Sequence, residues 1–200
     1  LSAPPDRTEL GLRERKKAKT RAAIQAHAFR LFGERGYDST TVEQICEAAE
    51  VSESTFYRYF PTKVDVVLWD EFDPLIVRAF ADQPAELNPI QALRAAFRAA
   101  FAELSVEQHA EQRQRMALVL SVPELRAGML DQFAQAMHLL ADIVAERTGR
   151  SNDDAAVRTL AGAVIGVAMA VMFVMADDPT ANLAELLDEA IAHLETGLTL

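Results

Sequence analysis

Apolar positions along this 200-residue chain recur at three- and four-residue intervals, and no segment shows the sustained alternation of a half-buried strand. Ile24, Ala28, Leu31 and Phe32 form one such stripe and predict a helix from about Arg13 to Arg35, stopped by Gly36. Thr40 and Glu43 have capping-box spacing, in which hydroxyl and carboxylate satisfy the free N–H groups of a helix start. They predict a second helix over 40–49, striped by Val42, Ile45 and Ala49. Val51 and Ser52 begin a turn, Ser52 caps a third, short helix reaching Phe60, and Pro61 breaks it. Thr62 and Asp65 repeat the capping-box spacing and open a fourth helix, expected over 62–80 through Trp69, Phe72 and Ile76. Further helices are expected from Asn88-Pro89 through Leu93, Phe97 and Phe101, from Glu107 to Ser121, and from Pro123 to about Arg147. A loop at 149–154 precedes an apolar helix over 154–176, and an amphipathic helix covers 182–198. The expectation is an all-α chain of about nine helices, with a disordered tail over residues 1–12.

Composition narrows the function classes. Half the residues are hydrophobic and a quarter are charged, as in globular proteins. A single cysteine, Cys46, excludes a disulfide framework. The four histidines (His27, His109, His138, His193) are far apart, so neither a metal site nor a cofactor is expected. No charged start followed by an apolar segment marks a secretory signal. The longest apolar run, Leu160 to Ala176, has 17 residues, just under the ~18 of a membrane span, and reads as a buried core helix. A cytoplasmic protein without a membrane partner follows. No nucleophile–base set, paired carboxylates or nucleotide loop points to an enzyme.

Charge changes the picture. The net charge of -10 argues against a nucleic-acid partner, but residues 1–63 carry 11 basic and 9 acidic side chains against 9 and 21 in residues 64–200. Arg13 to Arg21 alone holds six basic residues and one acid. A solvated charged face is one explanation. Two short helices joined by a tight turn, 40–49 and 52–60, offer another: a helix-turn-helix, whose second helix lies in the major groove. Its exposed face would present Ser54, Thr55, Tyr57, Arg58 and Tyr59, with Val51, Phe56 and Phe60 turned inward against Ile45 and the first helix.

The string from Ala28 to Val67, AFRLFGERGYDSTTVEQICEAAEVSESTFYRYFPTKVDVV, resembles the DNA-binding domain of the Tet repressor (TetR) family. Leu-Phe before a Gly-Tyr turn, Thr-Thr-Val, Val-Ser, then Thr-Phe-Tyr-x-Tyr-Phe-x-Thr-Lys meet the family pattern in order and spacing. The resemblance implies a helix-turn-helix domain over 13–76 and a helical ligand-binding and dimerisation domain over 77–200. It implies phosphate contacts from Thr40 and Thr41 and from Lys63, and recognition-helix contacts from Thr55, Tyr57 and Tyr59. Glu53, Ser54, Thr55 and Arg58 are the candidates for sequence reading, and Arg13, Arg15, Lys16, Lys17 and Lys19 for an arm near the DNA. The chain departs from the family at two positions. Glu50 stands where the turn usually has Gly, a position that favours positive φ, and Cys46 replaces a frequent Ala.

In the family the last two long helices dimerise. Here that implies an interface with Gly162, Gly166, Ala170, Leu183, Leu187, Ile191 and Leu194. The Phe- and Met-rich helices suggest a pocket lined by Phe97, Phe101, Met116, Met129, Phe133, Met137, Met169, Met172 and Phe173, with Arg98 and His138 as polar groups. An arginine at its mouth suits an acidic, lipid-like effector such as a fatty acyl-CoA. The expected function is a homodimeric, non-enzymatic regulator, a repressor released from a pseudo-palindromic operator by such a ligand, with the helix over 62–80, at Trp69 or Phe72, as the lever. The alternative is a DNA-binding protein that acts through a protein partner.

Overall fold

The computed structural model describes residues 7–69, 72–178 and 181–198, with residues 7–12, 14, 72 and 73 described by their backbone alone. Residues 1–6 of the expected tail therefore lie outside the described residues. Among the described residues the chain is all helical: α1 (Arg7–Arg35), α2 (Val42–Ala48), α3 (Glu53–Tyr59), α4 (Lys63–Leu68), α5 (Phe72–Ala81), α6 (Pro89–Ala102), α7 (Val106–Ser121), α8 (Pro123–Thr148), α9 (Ala155–Asp177) and α10 (Leu183–Glu195). It divides into two compact units, Leu1–Trp69 and Asp70–Leu200, so the boundary expected at 76 falls inside α5.

Two helix boundaries correct the expectations. Residues 7–12 are helical, because between Arg7 and Arg30 Gly11 is the only glycine or proline in a run of strong helix formers. The single helix expected over 62–80 is two helices, with Trp69 in an extended conformation at ψ 129 after α4. Pro74 accounts for the break. It has no N–H to donate to residue 70, and its ring would clash with that carbonyl, so it is tolerated only in the first turn of a new helix. The expected lever at Phe72 lies outside the described side chains.

In the first unit, α1 packs on α2 and α4, and α2 on α3. Ile24, Ala28, Leu31, Phe32, Ile45, Phe56, Phe60, Val66 and Val67 are buried. Phe56 and Phe60 meet at 5.9 Å and Phe60 meets Trp69 edge-on at 6.3 Å. Gln25 of α1 is nearly buried, and its Nε2 donates to the carbonyls of Val66 (2.8 Å) and Trp69 (2.9 Å), which terminates α4.

In the second unit, α5, α6, α8 and the first half of α9 share one core, which includes Phe80, Leu93, Ala96, Leu140, Val144, Val157 and Val164. A second cluster, of Phe101, Val171, Met175 and Leu187, lies among α6, α9 and α10. Arg147 of α8 fixes the α5–α6 loop: its guanidinium donates to the carbonyls of Gln83, Pro84 and Leu87. α9 is long and apolar enough to cross a membrane by length and composition, yet only about a third of its most apolar stretch is buried, against α8 and α10.

Candidate functional site

The helix-turn-helix is built from caps and one unusual turn. Thr41, not Thr40, is the N-cap of α2: its Oγ1 accepts from Gln44 N at 3.2 Å, and Gln44 Oε1 accepts from Thr41 N at 3.1 Å. The expected Thr40–Glu43 box is therefore displaced by one residue. Thr40 is 1% exposed, and its hydroxyl donates to Gly36 O at 2.8 Å. This correction removes it from the surface a phosphate could reach and makes it a brace of the turn where Gly36 takes φ 84. Thr41 stays exposed, with its own O–H hydrogen available to an acceptor.

α2 ends in a Schellman motif: Val51 N donates to Cys46 O at 3.0 Å, and Glu50 N to Glu47 O at 3.2 Å. Glu50 occupies the left-handed position at φ 53, as the departure from glycine at this turn foretold. An L-residue loses ~1–2 kcal/mol there, and a glycine returns ~0.5–1 of it as unfolded-chain entropy. Glu50→Gly is expected to raise stability by ~0.5–1 kcal/mol in thermal melts, and Glu50→Ala by nothing. Equal melting of the two variants would show that the turn carries no strain. Cys46, buried at the same turn, has its thiol pKa pushed up by burial and by the nearby Glu53 charge, which leaves it a poor nucleophile.

On α3, Ser52 is the N-cap; it accepts from Thr55 N at 3.2 Å and donates to Thr55 Oγ1 at 3.0 Å. Glu53, Ser54, Tyr57 and Arg58 are exposed, and Thr55 and Tyr59 are half-buried. Tyr57 is 49% exposed while its neighbour Phe56 is fully buried, so α3 presents one aromatic outward and anchors itself with another. Arg13, Arg15, Lys16, Lys17 and Lys19 are all exposed along α1. The basic segment thus lies on α1, with its exposed cations spread around the helix axis.

Lys63 is more than a surface cation. Its Nζ donates to Tyr37 O (3.0 Å) and Thr40 O (3.1 Å) and lies 4.0 Å from the Tyr37 ring centroid. Two of its three donors are spent holding the turn before α2. Lys63→Ala is accordingly expected to cost the first unit ~2 kcal/mol through two lost charge-assisted bonds. A chemical-denaturation midpoint equal to that of the wild type would return Lys63 to a purely DNA-facing role.

The second unit holds a cavity of about 750 Å³ lined by α6, α7, the end of α9 and the start of α10. Its lining joins apolar Phe101, Met175 and Leu183 to polar side chains of α6 and α7 (Arg98, His109, Gln112, Arg113) and of the α10 start (Asn182, Glu185, Asp188). Arg94 staples α6 to α10 beside it: Nε and Nη2 hold Asp188 at 2.8 and 2.9 Å, and Nη1 reaches Glu195 at 3.3 Å. The hydrogen bonds from Arg94 keep the Asp188 carboxyl below its usual range. Arg98 lies 3.8 Å from the same, already paired carboxylate.

Of the expected pocket residues, only Phe101 and Arg98 line this cavity. Phe97 and Met116 pack into the core clusters, and Met172 is buried. Met129, Phe133 and Met169 are half-buried outside the lining. Met137, His138 and Phe173 are exposed, Phe173 at 70%. The expected interface also divides. Leu187 and Ile191 are buried in the chain's own core because α10 turns its apolar face onto α6 and α9. Leu183 and Leu194 pack on the two core clusters. Gly166 and Ala170 remain exposed, in line with Phe173 and Val174 on α9, and Gly162 is half-exposed. Sequence reasoning pointed to Arg113 among the polar groups of these helices but missed His109, Asn182 and Asp188 as cavity residues, since they meet only where α7 and α10 converge. It likewise missed Gln25.

Two family models match the chain: "Bacterial regulatory proteins, tetR family" over residues 24–68 and "MftR C-terminal domain" over residues 87–199. The chain is 39% identical over 151 residues to the HTH-type transcriptional regulator TcmR of Streptomyces glaucescens, across 72% of this chain and 67% of that one. It is 28% identical to the putative mycofactocin biosynthesis transcriptional regulator MftR of Mycobacterium tuberculosis, across 92% and 93%. Among solved structures it resembles Thermus thermophilus FadR, a TetR-family repressor in complex with lauroyl-CoA, at TM-score 0.56 and 25% identity, covering 90% of this chain and 95% of that one. A TetR-family regulator from Syntrophomonas wolfei has the same fold at TM-score 0.62 and 16% identity, covering 92% and 98%.

Proposed function

The chain belongs to the TetR family of bacterial transcriptional regulators, and on that premise we propose that it is a cytoplasmic homodimeric repressor, released from a pseudo-palindromic operator by a small hydrophobic or acyl-type ligand. The observation that carries the reading is α3, which exposes Ser54, Tyr57 and Arg58 while Phe56 locks it to the domain core. Two copies would set two such helices into successive major grooves, ~34–36 Å apart.

Dimerisation is supported by α9. Gly166, Ala170, Phe173 and Val174 form an exposed apolar stripe on a helix of core composition, and a second copy is the natural cover. The effector is supported by the cavity, whose lining of Phe101, Met175 and Leu183 together with Arg98 and Arg113 suits an amphipathic anion. FadR, with lauroyl-CoA bound, is a relative of the same fold. Such a cavity speaks for a ligand over a protein partner as the signal.

Selection from random duplex DNA with the purified protein tests the reading. An enriched inverted repeat is the expected result. A single unrepeated half-site would remove the homodimer, and a pool without enrichment would remove sequence-specific regulation. Adding lauroyl-CoA to the selected complex is expected to lower its affinity, by up to ~10⁴-fold for a complete switch of state. Release by no acyl-CoA of any chain length would exclude the acyl class.

A further inference from the structure

Arg21 lies on α1 at four- and eight-residue spacing from Lys17 and Arg13, on the face that continues into Ile24 and Ala28. Its Nε is buried and makes no hydrogen bond. The guanidinium instead lies over the Trp69 ring, 4.2 Å from the centroid, and 5.7 Å from the centroid of Tyr59. The guanidinium of Arg58 lies 5.3 Å from that same Tyr59 centroid. Two arginines from different helices thus share one ring of the recognition helix, and among the described residues neither has a carboxylate partner.

Two guanidiniums near one ring repel each other, and cation–π contacts of ~0.5–1 kcal/mol each offset this only in part. Stacking engages the faces of a guanidinium and leaves its in-plane Nη donors for a second partner. Donors in that plane match the paired oxygens of a phosphate. A backbone phosphate beside α3 would offer both guanidiniums an acceptor of opposite charge.

We propose that Arg21 and Arg58, ordered by Tyr59 and Trp69, form a clamp for a DNA backbone phosphate at the C-terminal end of the recognition helix. Arg58 is then a positioning contact and not a base reader, which leaves Glu53, Ser54 and Thr55 for sequence reading. The inference rests on DNA binding by this helix-turn-helix.

The test is the salt dependence of binding to a short mixed-sequence duplex between about 50 and 200 mM salt, since phosphate contacts operate on any sequence. Arg21→Met and Arg58→Gln are each expected to flatten the slope of log K against log salt by ~0.9, with a several-fold loss of affinity at the lower salt. Arg21→Lys, which keeps the charge, is expected to retain the wild-type slope. Unchanged slopes in both charge-removing variants would overturn the clamp. Weaker binding at an unchanged slope would also overturn it, making Arg21 a support for Tyr59 only. If Arg21→Met fails to fold by circular dichroism, the exposed Arg58→Gln decides the matter alone. A wild-type protein without salt-dependent binding would instead sink the DNA-binding premise.

Discussion

Gly166→Glu is expected to dissociate the proposed dimer without harming the protomer. Gly166 is exposed on α9, and a Cβ built there meets nothing within 4 Å, so the chain itself leaves room for a side chain to start outward. Replacing glycine by glutamate inside a helix stabilises that helix by ~0.5–1 kcal/mol. In a two-fold interface the same change appears twice, and two carboxylates would be pressed together away from water. Each desolvated charge costs several kcal/mol, so the dimer should weaken at least ~100-fold. Sedimentation at micromolar concentration is expected to show a monomer, melting no lower than the wild-type protomer. Operator affinity should fall by ~10²–10⁴-fold, because the second half-site is no longer tethered to the first. A variant that still sediments as a dimer would place the interface away from the Gly166–Ala170–Phe173 stripe.

The second large effect separates two neighbouring rings on α3. Phe56 is fully buried and packs edge-on against Tyr57 at 5.4 Å, while Tyr57 is 49% exposed. Phe56→Ala leaves a cavity in a small core and should cost ~3–5 kcal/mol, most of the stability such a unit can have. The first unit is then expected to be largely unfolded at growth temperature, with DNA binding lost in consequence. Tyr57→Ala should leave the melting temperature within a few degrees of wild type and still weaken operator binding by ~10–100-fold, the range of a lost base or phosphate contact of ~1–3 kcal/mol. Circular dichroism and a binding titration on both variants make the comparison. A Tyr57→Ala protein that binds as tightly as wild type would remove α3 as the recognition element.

Much of the DNA-binding unit is legible in the sequence because its signals are local. Ser52, the Thr62–Asp65 pair and Asn88 each satisfy N–H groups two or three residues away, and each is found as the spacing predicts. The positive φ of Glu50 was implied by the family resemblance, which has a glycine at this turn. Locality fails by a single residue at Thr40 and Thr41. The two side chains are identical, and only the path of the chain after α1 decides which hydroxyl reaches Gly36 O and which caps α2. Pro74 shows another kind of miss. The apolar stripe through 62–80 ran across it, and the missing N–H outweighed the stripe.

The functional surfaces of the second unit were less legible. The periodicity of α10 says that Leu187 and Ile191 face apolar surroundings, but the same pattern serves a partner chain or the chain's own core. Packing on α6 and α9 places them in the core, and of α9 and α10 it is α9 that carries an exposed apolar stripe. The cavity depends on α6, α7 and α10 coming together, so its lining residues Arg98 and Asp188 have no common signal in the sequence.

By itself, the sequence determined the helical class, the helix caps, the two-helix recognition motif and the split between a basic head and an acidic body. These rest on hydrogen bonds and periodicities within one or two helical turns, where chain connectivity already brings the groups together. The tertiary structure alone decided which cations are spent and which remain available. Gln25 finds Val66 across 41 residues and Arg94 finds Asp188 across 94. Arg21 finds the rings of Tyr59 and Trp69, across 38 and 48 residues. Contacts at such separations follow from how helices pack, and packing is a property of the whole core that no short window of sequence contains.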